Sequence, residues 1–296
     1  MRVFISSPGW NVMEELLNRC PSILLNILWT AARMPKRYKE YLKEFESIIE
    51  SVILDNGAFS AMFSHLDVTV SELITRFTVH CSLNQARYLM VFSPDFNFGP
   101  HGFADNYEEL LKLQDANVVG VPVIHNLKNH EAWSYTEDYP EFVAIGQSKG
   151  RLVPENLFPR VFWLHHEKQV RVHLFGITDF DIISSCPAFS CDSKSWLDDA
   201  KTGVVRFWNS EKTERNKTDV IYFPEELDKK RPGMYTRYNY PYIDVFEHFL
   251  KEKLSLTMDE FIGKKGGFYR QLAVILYYNT LEQVVTDLQI KDGLIF

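Results

Sequence analysis

The stretch Val172 to Trp196, VHLFGITDFDIISSCPAFSCDSKSW, decides how the rest of the chain is read. It opens with a short apolar run, Val172 to Phe175, that ends in Gly176. An amphipathic piece follows, then a second short run, Pro187 to Cys191, that ends in Asp192-Ser193-Lys194-Ser195-Trp196. A carboxylate just past a buried strand sits on a rigid element with its oxygens facing a cleft, which suits attack on carbon or cation binding. The same Asp192 can instead cap a turn through an Asx bond, and the stretch alone leaves both readings open.

Outward from it the pattern recurs. Short apolar runs occur at Val3–Ser6, Ile23–Trp29, Ser51–Leu54, Arg87–Phe92, Val118–Ile124 and Phe142–Ile145. Several end in glycine or a polar group: Asp55-Asn56-Gly57, Asp95, His125-Asn126, and Gly146-Gln147. Amphipathic stretches lie between them, at Asn11–Asn18, Arg33–Glu50, Asn106–Gln114 and Pro154–Gln169. All-apolar strands are buried on both faces, as in parallel sheets, and their alternation with helices means α/β. Seven or eight strands in a chain of 296 residues fit a (β/α)8 TIM-like barrel, whose chemistry sits at the C-terminal mouth. A doubly wound sheet is the competing architecture. The usual glycine-rich dinucleotide and phosphate loops do not follow the first strand.

After Trp196 the runs Val204–Trp208 and Val220–Phe223 read as further strands. A polar, basic and aromatic loop is expected over about 209–240, and C-terminal helices over about 241–290. The loop carries Lys229, Lys230, Arg231 and Arg237 among Tyr235, Tyr238 and Tyr240. That mixture suits a phosphate backbone and stacked bases, or simply a solvated surface. With no internal repeat and no low-complexity linker, 1–296 reads as a single domain.

Composition narrows the class. A hydrophobic fraction of 46% supports a full core, and a net charge of −7 excludes a global basic field, so a nucleic-acid partner would need a local patch. The four cysteines show no Cys-x-x-Cys spacing and read as buried thiols of a reducing compartment. The start has no signal-peptide pattern, and no apolar run approaches the ~20 residues that span a bilayer, so a soluble cytoplasmic protein without a membrane partner is expected.

Four segments, in order, resemble one family. ILDNGAFS (Ile53–Ser60) resembles the Asp-Ser-Gly-[Gly/Ala]-Phe turn of tRNA-guanine transglycosylases and their phage-type, DNA-modifying relatives. VGVPVIH (Val119–His125) resembles the strand that carries a base-reading polar group, and FVAIGQSKG (Phe142–Gly150) resembles the Ala-[Ile/Val]-Gly-Gly strand end. Val172–Trp196 resembles the phage-type strand pair ending Asp-Ser-x-Ser-Trp. The resemblance implies a barrel that exchanges guanine in a nucleic acid for a 7-deazaguanine such as preQ0, needing no cofactor and no metal. It implies Asp192 as nucleophile, Asp55 as general acid/base and Asp95 as reader of the guanine edge. His125, Gly146, Gln147, Gly57, Ala58 and Phe59 would line the base. Lys229, Lys230, Arg231 and Arg237 would meet the nucleic acid.

Departures tilt the substrate. Asn56 stands where the family usually has Ser, and Gln147 where it has its second Gly. The zinc-binding cysteine cluster of the cellular tRNA enzymes is absent, and so is the Pro-Thr-Arg after their nucleophile. DNA is therefore expected over tRNA, as in a phage-encoded enzyme acting in the bacterial cytoplasm. A tRNA-directed enzyme, an N-glycosidase that does not reinsert a base, and a non-catalytic binder remain the alternatives. Whether two chains form a homodimer is left open.

Overall fold

The computed structural model describes residues 1–63, 68–99, 102–137, 140–146, 153–224 and 233–294. Eight parallel strands form one sheet: β1 (Arg2–Ser6), β2 (Leu25–Thr30), β3 (Ile49–Asp55), β4 (Met90–Val91), β5 (Val123–Ile124), β6 (Phe142–Ile145), β7 (Arg171–Leu174) and β8 (Ser190–Ser193). They run in the order β4-β3-β2-β1-β8-β7-β6-β5. The two ends of that order meet. Phe92 bridges Val121, the Val121 N–H donates to the Val91 carbonyl at 2.7 Å, and the Ser93 N–H donates to the Val121 carbonyl at 2.9 Å. The sheet is thus closed, and the fold is a (β/α)8 barrel.

Closure explains the all-apolar strands. Successive side chains of a strand point to opposite faces. Phe4, Leu28, Ile53, Met90, Phe92, Val121, Val123, Phe142 and Ala144 fill the interior as one buried cluster. Their neighbours Val3, Ile5, Ile27, Trp29, Val52 and Leu54 belong to a second cluster, between the barrel and its surrounding helices. Both faces are dry, so both are apolar, and the few polar residues that point inward stand out.

The long C-terminal helix Gly266–Lys291 covers the N-terminal end of the barrel. Its Glu282 accepts from the Val3 N–H at 2.6 Å and from the Asn26 side-chain amide at 3.1 Å. Its Gln289 amide donates to the carbonyls of Ile183, Cys186 and Ala188, just before β8.

Several expectations are corrected. Asp192 lies within β8 rather than after it, because the strand starts three residues later than the apolar run Pro187–Cys191. Arg33–Glu50 is not one surface helix. Helix Tyr38–Glu44 stops, a 3-10 turn follows, and β3 begins at Ile49, with Tyr41, Phe45 and Ile48 wholly buried. The segment read as a loop over 209–240 contains two strands, β10 (Thr218–Tyr222) and β11 (Tyr235–Thr236). Together with β9 (Val204–Trp208) they form a three-stranded sheet. Cys20 is only half-buried, while Cys81, Cys186 and Cys191 are buried; all four are free thiols. Among the described residues, no helix is long and apolar enough to cross a membrane.

Phe92 sits at the closing seam, 0% exposed and tilted against Phe175 with ring centroids 4.6 Å apart. Phe92→Ala should lower unfolding free energy by about 3–5 kcal/mol in denaturant titrations. A loss below ~1 kcal/mol would mean the seam is not a packed core.

Candidate active site

The inward-facing positions at the C-terminal strand ends carry most of the polar chemistry. Asp55 ends β3 in register beside Thr30. The turn after it is built by Asn56, which is buried. Its Oδ1 accepts from the Ala58 N–H at 2.7 Å, and its Nδ2 donates to the Ser93 carbonyl at 3.0 Å and to Asp95 Oδ1 at 2.7 Å. The same nitrogen lies 3.4 Å from Asp55 Oδ1. Gly57 adopts φ +83°, and a Cβ there would come within 2.9 Å of Thr30 Cγ2. Its bare side therefore faces Thr30 and Ala32 rather than an open ligand surface, and Ala58 is fully buried. These two residues shape the turn that carries Asp55; any contact with a base would be through their backbone.

Asp95 follows β4 and is gripped from two sides. Asn56 donates to one oxygen, and His125 Nε2, after β5, stands 3.1 Å from the other without completing a hydrogen bond. His125 is itself fixed by Glu131, whose Oε2 accepts from the backbone N–H groups of His125 and Asn126 at 2.7 and 3.0 Å. Phe98 meets the imidazole edge-on at 5.0 Å. Gly146, at the end of β6, leaves the ring its room: a Cβ would lie 3.1 Å from His125 Cε1. His125 Nδ1 is buried and makes no hydrogen bond.

Asp192 faces the same mouth from β8, paired in register with Phe4. The Gly176 N–H donates to its Oδ1 at 2.8 Å. Gly176 has φ +67° with open space beside it, a backbone shape glycine adopts without strain. His173 Nε2, on β7, lies 3.5 Å from the same oxygen. The Asp192 side chain is 12% exposed. Among the described residues no donor is bonded to its Oδ2.

The electrostatics single out Asp55. Burial first, then the negative charges of Asp95 and Asp192, push the Asp55 carboxyl up to about 8, against the pull of the Gly57 N–H and the Thr30 hydroxyl. An edge of Asp55 stays in contact with solvent. Like charges gathered at one dry mouth make the neutral acid the favoured form. Asp192 sits at the edge of the same field, with a backbone N–H on one oxygen.

The remaining expected site residues fare differently. Gln147, Lys229, Lys230 and Arg231 lie outside the described residues, as does the side chain of Phe59. Arg237 follows β11, its guanidinium 4.5 Å over the Tyr238 ring, and among the described residues it has no contact with the mouth carboxylates. Tyr240 is buried rather than available for stacking. Its hydroxyl donates to Asp219 at 2.7 Å, in a cluster with Asn209 and Lys212. Two residues not expected from sequence, Asn56 as a bridge and His173 beneath Asp192, complete the constellation. Among the described residues, no group of three His, Cys, Asp or Glu could hold a metal ion.

No family model matches the chain, and no curated protein matches it. Among solved structures it is similar to a Coccidioides immitis protein assigned as a fructose-1,6-biphosphate aldolase. The TM-score is 0.50 at 10% identity, over 98% of this chain and 92% of that one. That likeness is one of fold, the closed α/β barrel.

Asp55 provides a test without substrate. Its ordinary value is 3.8 and its folded value about 8, so the folded chain keeps a proton that the unfolded chain releases. The group's contribution is fully present below pH ~4 and is lost as pH rises through ~8. Asp55→Asn should therefore be more stable than wild type, by on the order of 2–4 kcal/mol at pH 9, with the gap closing towards pH 4. Denaturant unfolding across that range checks it; a gap independent of pH refutes the burial of a neutral acid.

Proposed function

We propose that the chain is a base-exchange enzyme that replaces guanine in DNA with a 7-deazaguanine derivative through a covalent Asp192 glycosyl-enzyme ester. The observation that carries this reading is the pairing, at one mouth, of an acid kept neutral near pH 7 with a carboxylate held by a backbone N–H. Displacement at a sugar carbon needs those two groups in those two states.

In the first half-reaction Asp192 attacks C1′ of the target nucleoside. The C1′–N9 bond breaks, its electron pair leaves with guanine, and Asp55 supplies the proton that neutralises the departing purine. A carboxylate suits the attack because it stabilises an oxocarbenium-like centre and later leaves as a stable anion. In the second half-reaction the incoming base gives its N9 proton to Asp55 and attacks C1′. Asp192 is expelled, and two inversions give net retention. Asp95 accepts from the N1–H and amino group of the base, and Asn56 and His125 keep its oxygens turned to that task. His125 Nδ1 offers a further contact, and Gly146 and Gln147 would line the base edge.

The sugar carbon cannot be reached inside a duplex, so the target nucleotide is flipped out or single-stranded. Lys229, Lys230, Arg231 and Arg237 would meet its phosphates. Substrate and enzyme would meet in the bacterial cytoplasm.

Labelled guanine distinguishes the classes. An exchange enzyme incorporates it into DNA, a hydrolase only releases guanine, and a binder does neither; the same assay run on tRNA tests the other substrate. Asp192→Asn should lower exchange by ~10³-fold or more with folding retained, and full activity in that variant would refute the nucleophile. Guanine release requires the neutral form of Asp55, so the first half-reaction should decline above pH ~8. A rate still rising at pH 10 would assign the acid elsewhere.

A further inference from the structure

His173 is used by none of the steps above, yet it is wholly buried directly beside the attacking group. It faces the barrel interior from β7, in register with Ser190 on β8 and Ala144 on β6. Phe92, Phe175 and Phe4 surround the ring, with centroids 4.9, 4.7 and 6.1 Å away. Burying an imidazole among phenylalanines is unfavourable unless its nitrogens are bonded. Nδ1 meets the Ser190 hydroxyl at 2.8 Å. Nε2 has no hydrogen bond and points towards Asp192 Oδ1, 3.5 Å away.

The Ser190 hydroxyl decides what that second nitrogen presents. If it donates to Nδ1, the ring proton sits on Nε2 and faces the carboxylate. If it accepts from Nδ1–H, a lone pair on Nε2 opposes a lone pair on Oδ1, which is repulsive. Only the first arrangement avoids that repulsion and turns a donor towards the carboxylate.

We propose that His173, set in its Nε2–H tautomer by Ser190, is a positioning residue for Asp192. With the Gly176 N–H it holds Oδ1, and so leaves Oδ2 as the oxygen that bonds to the sugar. The proposal rests on the reading of Asp192 as the attacking carboxylate. Two donors on one oxygen fix the carboxylate plane. In the ester, Oδ1 becomes the carbonyl oxygen. When the incoming base breaks the Oδ2–C1′ bond, the charge returning to the carboxylate meets donors already in place. His173 keeps its proton throughout, since Asp55 carries the proton between the two bases.

Two measurements decide it. Nitrogen NMR of the histidine-labelled protein should find the His173 ring proton on Nε2, and Ser190→Ala should weaken that preference. A proton on Nδ1 in the wild type overturns the proposal, whatever reaction the protein catalyses. In the guanine-incorporation assay, His173→Phe should lower kcat by ~10-fold or more while KM for the base stays within about 2-fold, and His173→Gln, whose amide can donate, should recover most of the loss. Wild-type kcat in a folded His173→Phe protein overturns the proposal. So does a loss that His173→Gln, at equal thermal stability, does not relieve. A wild type that exchanges no base at all would sink the enzyme reading instead, and the tautomer would still judge this one.

Discussion

A strand in a closed barrel can turn only every second side chain inward, into an interior packed with apolar side chains. That constraint governs the whole molecule. Eight strands give few inward positions, and most are filled by side chains such as Phe4, Ile53, Phe92 and Phe142. Each polar residue placed among them must find its partner inside the barrel or at an end. Asn26 does so at the N-terminal end, bonding Glu282 of the closing helix and the hydroxyl of Ser51. His173 and Ser190 do so one layer below the mouth, with each other. Asp55 and Asp192 do so at the mouth itself, Asp55 with the Gly57 N–H and the Thr30 hydroxyl and Asp192 with the Gly176 N–H.

Environment, not residue type, distinguishes the mouth carboxylates. Asp55 is enclosed and close enough to two other acids for its proton to stay on at neutral pH. Asp192 has a backbone N–H on one oxygen and the other open. Asp95 has one oxygen bonded by Asn56 and the other 3.1 Å from His125 Nε2. Pairs of acids pushed into different states by their surroundings are the usual way one site supplies both acid and nucleophile.

The barrel was legible in the sequence because both faces of its strands are dry, and a run such as Ile53 or Val143 with its neighbours shows no polar alternation. Strand ends were less legible. Ser190 and Asp192 are polar yet inside β8, since their partners are inside too, and apolarity alone ended the strand too early. The helix Val70–Asn84 carries a readable start in the capping box of Thr69 and Glu72, but its long exposed face dilutes the apolar period. Tyr240 looked like a stacking residue because sequence cannot show that Asp219 lies beneath it. His173 was hidden for the same reason. Its significance lies in Ser190 and Asp192, seventeen and nineteen residues away, and only strand pairing brings them together.

Asn56 shows how a departure from a familiar motif can carry its own logic. A serine hydroxyl has a single proton to donate. The Asn56 amide donates to Asp95 and to the Ser93 carbonyl while its oxygen receives the Ala58 N–H. One side chain thereby ties the turn after β3 to the segment after β4, and β4 is only two residues long. A strand that short supplies few ladder bonds of its own to hold Asp95 in place. The amide supplies what the ladder lacks.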